Sequence, residues 1–342
     1  MLCEQVKKIN VIHNTSSTAS SAYLLDTLVD AIGGQTECYL HSYNIKFGAV
    51  SKIKHFLIPH LSIWRDTARS NVLLIHTSTI FSLTQVLIAK LTLTKVVVIL
   101  WDVYPESFIS FKKQKHKTIF TIYAALEKSI LRAADLVLLP SEDYKEAAQN
   151  IGIKKGVIFP LWPFSTIVEP ITKRKDPKAL HIGFAGSLNP IRGLPDAIQN
   201  LGARYLGNIT LHLYSSGKFD VTEEELPQNI KVVEHGFIDQ NLLVSELRQL
   251  DAGLVCLNPS FDQPAFPSKI ISYVSSGIPV IYHGPELLGV SSFLERYCVG
   301  ISLSSSSNLA SEILSVKSNF TENQKKALSY LELTEEKLAQ IL

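Results

Sequence analysis

Short apolar runs without alternation recur along the first half of the chain, at 8–13, 72–76, 95–101 and 136–139, separated by stretches of helix length. A strand with one wet face alternates apolar and polar residues. An uninterrupted β-branched run needs cover on both faces, which a parallel sheet flanked by helices supplies. The first half therefore predicts a doubly wound α/β unit. The pattern restarts after a stretch holding Pro160, Pro163, Pro170 and Pro177 with a charged run at 173–178. Proline density with charge predicts an exposed linker. Beyond it, strands are expected at 180–185, 210–214, 231–234, 253–257 and 279–282.

The last segment has Leu328, Leu331 and Leu338 at helical intervals and predicts one closing helix. The chain of 342 residues exceeds what one hydrophobic core usually organises. The expected organisation is a first domain over 1–163, a linker over 164–178, a second domain over 179–320 and the closing helix over 321–342. In such sheets ligands bind beyond the carboxyl ends of the strands, so chemistry is sought there.

Composition narrows the class. Hydrophobic residues at 46% and charged residues at 19% predict a folded globular protein. The net charge of +2 gives no global field for nucleic acid. Cys3, Cys38, Cys256 and Cys298 show neither metal-ligand spacing nor disulfide density, which predicts a cytoplasmic protein. The amino-terminal sequence MLCEQVKKINVIHN does not read as a signal peptide. The apolar region at 71–100 is broken by His76, Lys90 and Lys95, and predicts two strands around a helix rather than a membrane span.

Two motifs stand where chemistry is expected. Gly186, Ser187, Arg192 and Gly193 follow the first strand of the second half. Glycine there admits close approach of a phosphate, and Arg192 offers forked N–H donors to it. The alternative is a strand-to-helix turn with a solvated arginine. In the second motif, Pro267 suits the first turn of a helix, Ser268 and Lys269 stand at its amino end, and Gly277 and Pro279 close it. A lysine at such an end predicts an anion site. In the first half, Asp102 follows a buried strand and is a candidate for orienting or deprotonating a hydroxyl, with Glu106 as a second candidate. The alternative for Asp102 is a loop cap before Pro105. His13, His76, His235 and His283 fall at or near strand ends but form no compact ligand pair, so ordinary hydrogen-bonded histidines and no metal are expected.

Three segments together resemble glycosyltransferases of the GT-B type, particularly the family-4-like enzymes of bacterial surface polysaccharide assembly. They are G-S-L-x-x-x-R-G from Gly186, P-S-K-x-x-x-Y-x-x-x-G-x-P-V from Pro267, and W-D-V-Y-P-E-S from Trp101; the stretch A-A-D-L-V-L-L-P-S from Ala133 adds a fourth. The resemblance implies an α/β protein of GT-B fold, two Rossmann-like doubly wound domains facing a central cleft, with the closing carboxyl-terminal helix. It implies an acceptor-binding first domain and a second domain that binds a nucleotide sugar.

The resemblance assigns Gly186, Ser187, Arg192 and Lys269 to the donor diphosphate, and Gly193, Pro267, Ser268 and Ser272 complete the expected donor site. Asp102 and Glu106 are expected to act on the acceptor, and Asn14, Thr15 and Ser16 to bind it, the alternative for that loop being a helix amino-terminal cap. No cofactor is expected. Configuration is retained, and cations rather than a metal stabilise the diphosphate. At the positions of two family glutamates stand Pro264 and Ser272. That departure keeps a non-catalytic nucleotide-sugar-binding protein open, and an epimerase of the same fold is a further alternative. Lys112, Lys113, Lys115 and Lys117 precede an apolar helix, and predict either contact with an anionic membrane surface, near a glycan or lipid-linked acceptor, or a solvated loop.

Overall fold

The expected strands form two separate all-parallel sheets, all of them inner strands except 231–234, which lies at an edge. The structure is a computed structural model describing residues 7–13, 20–33, 36–42, 61–77, 79–103, 117–164, 167–171, 179–215, 217, 219–304, 306 and 308–341. Two compact units emerge: Met1–Leu161 with Gln263–Phe266 and Leu333–Leu342, and Trp162–Asp262 with Pro267–Glu332.

In unit 1 the chain runs β1 (Lys7–His13), α1 (Ser20–Gly33), β2 (Thr36–Ser42), α2 (Leu61–Ala68), β3 (Val72–His76), α3 (Leu83–Leu91), β4 (Lys95–Ile99), α4 (Lys117–Ala133), β5 (Leu136–Leu139), α5 (Tyr144–Ile151) and β6 (Gly156–Ile158). The sheet order is β2-β1-β3-β4-β5-β6. Leu73, Ile75, Val96, Val98, Val137 and Leu139 fill one core cluster under the helices. Strand β4 ends two residues before the expected 101. Leu100 N still donates to Leu138 O at 2.9 Å, but Asp102 N turns to Thr77 Oγ1 at 3.1 Å, and the chain bends away.

Unit 2 runs β7 (Ala179–Ala185), α6 (Leu194–Arg204), β8 (Asn208–Tyr214), β9 (Ile230–Glu234), α7 (Gln240–Leu247), β10 (Ala252–Cys256), α8 (Lys269–Ser275), β11 (Val280–His283), α9 (Leu288–Tyr297), β12 (Gly300–Ser302), α10 (Leu309–Ser318) and α11 (Phe320–Leu331). Its sheet order is β12-β11-β10-β7-β8-β9. Helix α6 buries Leu194, Ala197, Ile198 and Leu201, one face at helical spacing, against Ile182, Phe184, Leu211 and Leu213.

The segment expected as one closing helix is two. Helix α11 stops where Glu332 adopts extended ψ of 143°, and α12 (Glu335–Ile341) restarts behind Thr334, whose Oγ1 accepts from Lys337 N at 3.3 Å. Helix α12 belongs to unit 1, where Lys95 Nζ donates to the carbonyls of Gln340 and Ile341 at 3.2 and 3.0 Å. The extended residues 167–171 lie on unit 2: Val168 N donates to Ser275 O at 2.9 Å, and the buried Gln324 amide donates to Val168 O and Val274 O at 2.9 and 2.7 Å.

A row of histidines crosses the other face of the second sheet. Nδ1 of His181 lies 2.9 Å from Nε2 of His212, and Nδ1 of His212 lies 2.9 Å from Nε2 of His235. The Tyr214 ring stacks on His235 with centroids 4.6 Å apart, and burial together with Glu246 raises its phenol pKa. No helix of the described residues is long and apolar enough to cross a membrane.

Candidate functional site

The first motif forms a clamped turn at the carboxyl end of β7. Gly186 N donates to Tyr214 O at 3.1 Å, and the exposed Ser187 accepts from Asn189 Nδ2 at 2.9 Å. Pro190–Arg192 then make one 3₁₀ turn that ends at Gly193 with φ 59°. Only glycine fits there, on two counts. The backbone is left-handed, and a Cβ would stand 2.7 Å from Cα of Asn258. That contact exists because the loop after β10 grips the turn: Asn258 N donates to Ile191 O at 2.7 Å.

The second motif starts α8, which is only seven residues long. Ser268 precedes it without a side-chain cap bond, and Pro267 is buried. Lys269 is partly buried. Burial, with the Arg192 guanidinium within electrostatic reach, pushes its ammonium down to about 8. Neither cation is paired with a carboxylate among the described residues. Ser272, by contrast, is buried, and its hydroxyl faces back to Ser268 O at 3.5 Å. The structure thus leaves Lys269 within electrostatic reach of Arg192 and directs the Ser272 hydroxyl to its own helix.

Three residues that shape this region carried no assigned role in the sequence reading. Tyr273 accepts from Ala185 N at 2.8 Å and donates to Leu254 O at 3.2 Å, tying the end of β7 to β10. Its position inside the second motif was the available signal. Asn258 and Asp196 had none. Asp196, in the first turn of α6, accepts from His283 Nε2 at 2.6 Å, which ties the helix behind the turn to the end of β11.

In unit 1, Asp102 is exposed just past the end of β4, its backbone fixed by Thr77. Tyr144 donates from its buried hydroxyl to Trp101 O at 2.7 Å, and burial followed by the Asp102 charge raises the phenol pKa well above its ordinary range. His76 is buried beside Trp101 and donates from Nδ1 to Thr77 O at 2.6 Å, since a carbonyl only accepts. Glu127, fully buried, accepts from Thr79 N and Ile80 N at 2.8 and 3.0 Å. Glu106, Asn14, Thr15, Ser16, Lys112, Lys113 and Lys115 lie outside the described residues, and of Lys117 only the backbone is described, at the start of α4.

His76, His235 and His283 each make hydrogen bonds. Among the described residues no group of three or more His, Cys, Asp or Glu is placed to hold a metal ion. Cys256 is buried in the second core, where desolvation pushes its thiol up to about 12, and Cys298 is exposed; both are free.

No family model matches the chain, and no curated relative matches it. Solved structures do. A sucrose-phosphate synthase from Thermosynechococcus elongatus is similar with a TM-score of 0.65 at 12% identity, over 98% of this chain and 97% of that one. A glycosyltransferase from Rickettsia africae gives 0.60 at 11% identity, over 98% and 97%. An O-GlcNAc transferase from Thermobaculum terrenum gives 0.58 at 11% identity, over 98% of this chain and 66% of that one. With its two parallel-sheet α/β units matched along nearly the whole length, the chain has the GT-B fold of these glycosyltransferases.

Proposed function

We propose that this chain is a glycosyltransferase that moves a sugar from a nucleotide diphosphate sugar to a glycan or lipid-linked acceptor in bacterial envelope polysaccharide synthesis. The observation that carries this reading is the cation pair, Arg192 and Lys269, partly buried and without a carboxylate partner among the described residues. Two like charges within electrostatic reach of one another repel, and an anion bound by both relieves that repulsion. A departing nucleoside diphosphate is such an anion, and cations already in place stabilise it without reorganisation. They do so without a metal ion. Gly186 and Gly193 let the backbone approach, Ser187 and Ser268 add hydroxyl donors, and Pro267 sets the start of α8.

Asp102 orients or deprotonates the acceptor hydroxyl, with Glu106 beside it in sequence and Asn14, Thr15 and Ser16 as acceptor-binding groups. Retention of configuration follows from the sequence resemblance. Lys112, Lys113, Lys115 and Lys117 bring the protein to an anionic membrane surface where a lipid-linked acceptor resides. A second reading, a nucleotide-sugar binder without turnover, is favoured by one observation: Ser272 is buried with its hydroxyl on Ser268 O, so no carboxylate stands there to hold a ribose.

The test is a thermal-shift panel with UDP, GDP, CDP, dTDP and their sugar conjugates, followed by turnover with a membrane lipid extract in the presence and absence of EDTA. A selective shift with EDTA-insensitive transfer is expected. Silence across the panel at millimolar ligand overturns the donor site, whereas binding without transfer to any acceptor selects the second reading.

A further inference from the structure

A cavity of about 390 Å³ lies at the amino ends of β10 and β11, the opposite end of the second sheet from Arg192 and Lys269. It is of the size that small-molecule sites occupy. Its walls come from four places in unit 2: the extended residues Pro170 and Ile171, the turn into β10, the turn into β11, and the junction of α10 with α11.

Its charges do not cancel. Lys317 Nζ lies 2.6 Å from Oδ1 of the buried Asp251, whose other oxygen accepts from His181 N at 2.9 Å. That pair is settled. Arg248 also lines the cavity and is partly buried. Its Nε donates to Glu169 O at 2.7 Å, while its two terminal nitrogens meet no acceptor among the described residues. The lining therefore carries one surplus positive charge on a forked donor, the group best shaped to take a carboxylate or phosphate in two parallel bonds.

Beside that donor the wall is apolar. Ile171 and Leu314 are 43% and 54% exposed, and the buried Ile278 also lines the cavity. Water gains little from aliphatic surface, so a ligand with a hydrocarbon body gains by covering it.

We propose that this cavity is a binding site for a small amphipathic anion, an acidic head on Arg248 with an aliphatic body across Ile171 and Leu314. The site is separate from the donor site and does not depend on the transfer reading. The probe is hexyl phosphate, titrated calorimetrically into the full chain, with inorganic phosphate and hexanol as the head and body alone. Hexyl phosphate should bind more tightly than either half by about tenfold or more, since charge-assisted bidentate bonds and apolar burial add. Arg248→Gln should weaken it by a similar factor. Leu314→Glu should do the same by repulsion, and because Leu314 is more than half exposed that variant keeps the fold.

Both variants should bind nucleotide as the parent does. Equal hexyl phosphate affinity in the parent and Leu314→Glu, or loss only in Lys269→Ala, would place the anion at the other end of the sheet and overturn the proposal. So would no binding at millimolar probe. A failure of nucleotide binding, by contrast, bears on the donor reading and leaves this cavity's test intact.

Discussion

The ring of Tyr273 fills the space that a side chain at Gly253 would need, so closely that a Cβ there would overlap the ring carbons. The contact is what lets a residue of α8 reach through to the backbone of β7 and β10 with a single hydroxyl. Gly253→Ala should lower the urea midpoint of unit 2 through overpacking, by the equivalent of about 1–3 kcal/mol. Tyr273→Phe keeps the packing but strips Ala185 N of its acceptor, at about 1–3 kcal/mol for a buried donor left unsatisfied. If Tyr273→Phe unfolds at the parental midpoint, the hydroxyl is not what secures the end of β7.

Arg192→Ala and Lys269→Ala should each weaken donor diphosphate binding by about tenfold or more while the fold persists, since a charge-assisted bond is worth roughly 1.5–3 kcal/mol. The pH dependence follows from the depressed Lys269. With its ammonium at about 8, donor affinity should be flat below that value and fall above it as the free protein loses the proton. The sign is fixed by the ligand: an anion favours protonated Lys269, so binding near pH 8 takes up a proton. Because Arg192 is one cause of the depression, Arg192→Ala should move the alkaline limb to higher pH even as it weakens binding. Calorimetry in buffers of different ionisation enthalpy reads both effects, and a limb that stays put in Arg192→Ala denies the coupling.

Asp102→Asn should separate turnover from donor binding. Asp102 is exposed in unit 1, on a backbone fixed by Thr77, and the proposed donor groups belong to unit 2. Turnover should drop by about a hundredfold, the lower range for loss of a general base, with nucleotide affinity unchanged. A large loss of donor affinity at normal turnover would contradict the acceptor-side assignment.

Glu127→Gln tests the scaffold under the same region. The fully buried carboxylate accepts two backbone N–H bonds, from Thr79 and Ile80. An amide offers one oxygen and points an N–H at the other donor, so the variant should lose about 1.5–3 kcal/mol, visible as a lower melting temperature of unit 1. No change on melting would mean that the loop finds other acceptors.

The interiors of both sheets were legible because parallel strands covered on two faces leave unbroken apolar runs, as in 72–76 and 136–139. The unread strands, β2, β6 and β12, are all edges. Thr36–Ser42 reads TECYLHS, mixed because an edge has one neighbour, and β6 and β12 are three residues each, too short to show a period. The break before α12 was hidden because Leu331 and Leu338 keep helical spacing across it. At the candidate site, Arg192 and Lys269 were found by motif, one at a strand-end turn and one at a helix start. Asn258 and the Asp196–His283 pair were not, since their roles arise from through-space contacts that no local pattern encodes.

The histidine row in the second sheet has a direction. A neutral imidazole has one nitrogen that gives a proton and one that receives, and His212 uses both, one toward His181 and one toward His235. If Nδ1 of His181 gives, then Nδ1 of His212 must give as well; if Nε2 of His235 gives, the whole row reverses. Three rings therefore share two arrangements rather than eight. The choice made at His235, exposed at the sheet's edge, fixes whether the buried Nε2 of His181 carries a hydrogen, and so whether the interior around that ring meets a donor or a lone pair.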